Sequence, residues 1–175
     1  MSGLVCALAL PPAANAADQI YSYEPASPAA RSLTQSGLSF VFERGLTGGA
    51  RIRKVIQTGD QGEATLKGAS DKDLGAGGLR AALGKEAPAG GLYEIDPAED
   101  GAAFVNAVCP GAARAWLAIG ALKRFRDLTM QTIGRDKDAP AARHCATLAF
   151  TFRNEWTLPE QRPPHIRLSP SLRPN

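Results

Sequence analysis

Histidine is nearly missing from this 175-residue chain, which has only His144 and His165. Cysteine is scarce as well, limited to Cys6, Cys109 and Cys145. Two cysteines and one neighbouring histidine fall short of the four ligands, at recognisable spacing, of a structural zinc site. No G-x-S-x-G, S-x-x-K or H-E-x-x-H occurs, so the common serine and zinc hydrolase signatures are excluded. No glycine run cradles a nucleotide either. In Gly75-Ala76-Gly77-Gly78 the third glycine of the dinucleotide pattern is replaced by Arg80, and no Gly-Lys-Ser/Thr follows. Asp71-Lys72-Asp73 opens like a calcium loop, but Ala82 stands where the twelfth-position glutamate belongs. No cofactor is implied.

Long apolar runs are lacking too. The longest near the start is Leu4 to Leu10, seven residues against the ~20 of a membrane-spanning helix. Strong charge of one sign is also absent, and a balance of +3 is too mild to call for nucleic acid. Aromatic residues make up 6% of the chain, so the core leans on Leu, Ile, Val and Ala.

The apolar run Leu4–Leu10 ends in Ala14-Asn15-Ala16, the small-x-small form that a signal peptidase reads. The expectation is a signal peptide over 1–16, cleaved before Ala17, and a periplasmic or secreted protein. Cleavage would leave Cys109 and Cys145, which in an oxidising compartment read as one disulfide. The pair His144-Cys145 offers a catalytic alternative, a thiolate beside a base. Adjacent residues on a strand point to opposite faces, so the crosslink is the better reading.

Along the chain, residues 17–37 carry prolines and no sustained period, and read as an extended lead-in. Leu38, Phe40 and Phe42 alternate with smaller or polar residues, predicting a strand. ARIRKVIQTG and EATLKG predict two more strands, joined at Gly59-Asp60-Gln61-Gly62. GLYEI is a short strand, and GLRAALG gives a helical turn or two. Asp96-Pro97-Ala98-Glu99 has the form of an N-cap, a first-turn proline and a capping glutamate. A helix is therefore predicted over about 97–108, burying Phe104, Val105 and Val108. Residues 112–126 read either as helix, from Trp116, Ile119, Leu122 and Phe125, or as a hairpin turning near Lys123-Arg124-Phe125-Arg126. The hairpin is preferred. ATLAFTFRNEW predicts a final strand, and 159–175, with five prolines in 17 residues, a tail outside any sheet.

Strands, one good helix and then more strands suggest class α+β: an antiparallel sheet with the 97–108 helix packed on one face, stapled by a single disulfide. The domain would span 38–158. Two basic clusters, Arg51-Arg53-Lys54 and Lys123-Arg124-Arg126, are candidate anion-binding residues, since arginine's planar fork suits carboxylates and phosphates. The function expected is that of an exported, non-enzymatic envelope protein that binds or scaffolds an envelope component, such as an acidic polymer or protein. Two alternatives stay open: a small secreted hydrolase using carboxylates brought together by folding, and an inhibitor of a secreted enzyme.

Overall fold

Period-two alternation sets which side chains turn inward. Tyr21 and Tyr23, then Leu38, Phe40 and Phe42, then Val55, Ala64 and Leu66 lie in cross-strand register and share one core. The computed structural model describes residues 18–44, 50–59, 62–85 and 90–158. Eight antiparallel strands follow one another in sequence order and close into a barrel. They are β1 (Gln19–Pro25), β2 (Leu38–Arg44), β3 (Ala50–Gln57), β4 (Glu63–Ala69), β5 (Gly90–Ile95), β6 (Arg114–Gly120), β7 (Leu128–Arg135) and β8 (Arg143–Thr157). Closure is made by β8. It pairs with β7 through Phe150 and with β1 from Phe150 to Thr157, with a register shift at Ser22/Tyr23.

This overturns the expected α+β sheet. An open sheet has two edges and room for a helix on a face; here every strand has two neighbours and the inner face is the core. Nor is 17–37 a lead-in: it supplies β1 and a short helix α1 (Pro28–Leu33). The expected signal peptide over 1–16, the tail over 159–175 and Asp60-Gln61 of the predicted turn lie outside the described residues. The strands predicted from Leu38-x-Phe40-x-Phe42, ARIRKVIQTG, EATLKG and GLYEI are present as β2 to β5, and 112–126 contains a strand and a turn, not a helix.

Because the strands alternate in direction, odd-numbered connections gather at one end and even-numbered ones at the other. The first end is capped. Ser27 Oγ accepts from Ala30 N at 3.1 Å to start α1, which buries Ala30 against the core. Helix α3 (Gly101–Val108) lies across the ends of β4, β5 and β6 and turns Phe104, Val105 and Val108 into the barrel. It is shorter than predicted because Glu99 adopts a φ of 54°, which breaks the helix, while Asp96 Oδ1 accepts from Ala98 N in a separate turn. Gly101 fits there because a Cβ would overlap the carbonyl oxygen of Asp96. The helix thus closes an end of the barrel instead of lying on a sheet face.

Cys109 ends α3 and is disulfide-bonded to Cys145, inside β8 and not before it, with Cα atoms 5.4 Å apart. The bridge packs on β7 at Gly134, where any Cβ would overlap Cys109 Sγ. The glycine is what admits the sulfur.

The outer wall of β5, β6 and β7 is covered as well. The connection from β4 to β5, a 3-10 turn (Asp71–Leu74) and helix α2 (Gly78–Leu83), places Leu74, with Leu79 and Leu83 beside it, over Leu92, Trp116, Ala118 and Ile133. Asp71 Oδ1 accepts from Leu79 N and Asp73 Oδ2 from Ser70 N, so the carboxylates of the calcium-like stretch serve as local caps. Trp116 is fully buried, with the guanidinium groups of Arg114 and Arg135 at 5.0 and 5.6 Å from its ring centre. Arg114 is fixed in turn by a two-pronged bond to Glu94, at 2.7 and 2.8 Å.

The disulfide joins residues 36 apart and pins a cap to the wall, so its loss should be felt globally. Cys109→Ser with Cys145→Ser is expected to lower unfolding free energy by about 2–5 kcal/mol in a denaturant titration. An unchanged midpoint, together with two freely labelled thiols in the oxidised parent protein, would contradict the bridge.

Candidate functional site

The second end of the barrel holds the even-numbered connections and residues 18 and 158, and it is where the candidate site lies. Alternation again decides what faces in. On β1 and β8 the inward positions near this end are Tyr21, Tyr23, Phe152 and, past the register shift, Glu155, and both Tyr–Phe152 ring pairs meet edge to face at 5.7 Å. Tyr21 also meets Phe42 of β2 at 4.6 Å. Residues 121–127, the turn between β6 and β7, lean over this aromatic wall. Phe125 packs edge-on to Phe152 at 5.6 Å while staying 70% exposed, and its φ is 58°. Asp127 Oδ1 accepts from Phe152 N at 3.1 Å. Arg124 Nε lies 2.5 Å from Glu155 Oε2, a close ion pair without an aligned hydrogen bond.

Tyr23 is 1% exposed, and its hydroxyl has no hydrogen-bond partner among the described residues. Burial, reinforced by the neighbouring Tyr21 and Asp127, pushes the Tyr23 phenol well above its usual value of 10.0. It is therefore a neutral donor left without an acceptor, and Asp127 places it beneath the 121–127 turn. The wall across the barrel is different in kind. In a ring of eight strands β4 stands opposite β8 and β5 opposite β1. Their inward positions include Gly68, paired with Tyr93, and Gly91 two residues nearer the β4–β5 connection. A Cβ at Gly91 would meet the Tyr93 ring, so that ring lies back along its own strand. At Gly68, which is exposed, no described heavy atom lies within 4 Å of where a Cβ would be.

The candidate anion-binding residues share this end but not one surface. Arg51 and Arg53 begin β3, and Lys123, Arg124 and Arg126 belong to the turn before β7, four strands away in either direction. Arg53 is paired with Glu43 and Arg124 with Glu155. Arg51, Lys123 and Arg126 have no ion-pair partner among the described residues. The large apolar side chains that stay exposed, Phe125, Trp156 and Leu158, all lie at the same end.

The other candidates separate. His144 Nε2 lies 2.8 Å from Gln131 Oε1, which also accepts from Thr147 Oγ1 at 2.5 Å. His144 is thus engaged with Gln131, and Cys145 is bridged to Cys109, so the pair holds no thiolate beside a base. Carboxylates do meet at a cleft of about 350 Å³ beside α3, where Glu63 and Asp100 join Gln57 and Phe104. Glu63 is held by Lys54 at 2.7 Å, and both side chains are partly solvated. Asp96 is likewise engaged: its hydrogen bond with Lys67, then that from Ala98 N, hold its carboxyl below the usual range. No group of three or more His, Cys, Asp or Glu that could hold a metal occurs among the described residues. No helix there is long and apolar enough to cross a membrane. No protein-family model, curated protein or solved structure matches the chain.

Sequence reading missed Tyr21, Tyr23, Gly68, Tyr93 and Phe152 as members of one site. The signal was there in part, as Tyr-Ser-Tyr in period two, but it sat between an apolar start and two prolines.

Tyr23→Phe should raise the unfolding free energy by about 1 kcal/mol, since it removes a buried unpaired hydroxyl and little else. A phenol whose folded-state pKa is raised contributes stability that is present below its unfolded value of 10.0 and is lost as pH rises beyond it. The melting temperature of Tyr23→Phe should therefore exceed that of the parent by a margin that widens above pH 10. A margin that narrows there would contradict the burial of the group.

Proposed function

We propose that the protein is an exported, non-enzymatic binding protein of the cell envelope, and that it engages an acidic envelope component through the rim at the turn-rich end of the barrel. The observation that carries this reading is the gathering of both basic clusters and of Phe125, Trp156 and Leu158 at that one end. Apolar patches rimmed by charge mark interaction surfaces on monomers, and arginine forks suit carboxylate and sulfate groups. The apolar run ending in Ala14-Asn15-Ala16 and the Cys109–Cys145 bridge support an oxidising location. The non-enzymatic part is supported by the engaged state of His144, Cys145 and Glu63. Because the two clusters stand on opposite walls, the partner must span the rim; an extended polymer does so more readily than a small anion.

The experiment is retention on immobilised heparin as a stand-in for an acidic polysaccharide. The parent protein is expected to elute at clearly higher salt than a variant carrying Arg51→Glu, Arg53→Glu, Arg124→Glu and Arg126→Glu, because exposed charges are screened over a Debye length of ~8 Å at physiological strength. Equal elution of the two proteins would sink the proposal.

A further inference from the structure

Beyond the rim, we infer that the mouth of the barrel itself is a binding site for a small, flat, apolar molecule carrying one hydrogen-bond acceptor. The inference rests on an asymmetry between opposite walls. One wall is aromatic, with Tyr23 and Phe152 in edge contact and Phe125 above them as a roof. The wall facing it has Gly68 and Gly91 at inward positions, with the Tyr93 ring laid back against Gly91. An eight-stranded barrel is just wide enough either to be filled by its own side chains or to hold one small ligand. At Gly68 no described heavy atom lies within 4 Å of where a Cβ would be, while the Tyr93 ring occupies the space at Gly91. Gly68 is exposed, and it lies beyond the last register pair of β3 with β4, Lys54–Thr65.

A slot between an aromatic face and the bare backbone at Gly68 selects for flatness, since rings stack on one side and the glycine lets the ligand approach the other. The polar requirement comes from Tyr23. Its hydroxyl is buried and has no hydrogen-bond partner among the described residues, so a side-chain shift that turns it toward the slot gains a hydrogen bond from one acceptor on a bound molecule. Pockets of this make, mostly apolar with one or two placed polar groups, are usual for small ligands, and barrel mouths are a frequent location. Phe125 covers the slot in a backbone conformation that a bulky side chain rarely adopts, held against Phe152 on one side and with the Arg124 guanidinium 4.6 Å from its ring on the other.

The test is a fluorescence titration of the oxidised full chain with 1-anilinonaphthalene-8-sulfonate, a flat apolar dye whose sulfonate oxygens accept hydrogen bonds. Saturable binding of one dye per chain is expected. Gly68→Leu fills open space and should weaken binding by at least about tenfold at an unchanged melting temperature. Tyr23→Phe should weaken it by a smaller factor, about threefold to tenfold, for the loss of one buried hydrogen bond. If Gly68→Leu lowers the melting temperature, Phe125→Ser is read in its place, as it alters an exposed side chain, and the same weakening is expected. Unsaturable binding, or undiminished affinity in the variant that is read, overturns the inference. The rim reading fails separately: Gly68→Leu should leave heparin retention unchanged, and Arg51→Glu with Arg53→Glu should leave dye affinity unchanged. Dye binding lost on that charge reversal but kept in Gly68→Leu also counts against the mouth.

Discussion

The pairing of β1 with β8 is the constraint on which the rest of this structure depends. A meander of seven strands from β2 to β8 has two open edges, each a row of unpaired amides and carbonyls. Adding β1 between those edges satisfies both rows and bends the sheet around one core. The inward side chains of β1, Tyr21 and Tyr23, then complete that core by meeting Phe40, Phe42 and Phe152. Closure also creates what an open sheet lacks, an inside with two ends. One end is sealed by α1, α3 and the Cys109–Cys145 bridge. The other is left to turns, cations and exposed rings.

A second consequence concerns β6. Its residues Ala115 to Ile119 are all buried, because Ala115, Leu117 and Ile119 face the barrel core while Trp116 and Ala118 lie under Leu74 and α2. The cover over that wall is fastened by the Arg114–Glu94 fork, by Arg135 donating to the carbonyl oxygen of Asp73 at 3.3 Å, and by the carboxylate caps of Asp71 and Asp73. The protein therefore has one wall thickened by a second layer. The glycine-lined strands β4 and β5 adjoin that thick wall, while the aromatic strands β1 and β8 stand opposite.

Much of the strand pattern was legible in the sequence because single-sided burial writes a period of two. Leu38-x-Phe40-x-Phe42 and Leu148-x-Phe150-x-Phe152 are plain examples. Strand β6 was ambiguous for the opposite reason: burial on both faces erases alternation, and Trp116 and Ile119 then mimic helical spacing. The helix boundary at 97 was misplaced because Asp96-Pro97 caps a turn, and only the positive φ of Glu99 shows that the helix starts later. Closure itself left little mark. The strand that closes the barrel, β1, is separated from its partner β8 by more than a hundred residues, and nothing local to Gln19–Pro25 states that partner. Hence a correct reading of most strands still yielded the wrong fold class. The candidate site was illegible for the same reason, since Gly68, Tyr93, Tyr23 and Phe152 become neighbours only across a closed ring.

The claim most worth testing is therefore closure. Nuclear Overhauser contacts between backbone protons of β1 and β8, in the oxidised full chain, report on it residue by residue. The structure requires them at Ile20–Trp156, Tyr21–Glu155 and Tyr23–Phe152, alongside those of the seven other strand pairs. A spectrum showing the seven other pairs while β1 has no contacts to β8 would mean an open sheet with two free edges, and the account of the mouth would fall with the barrel.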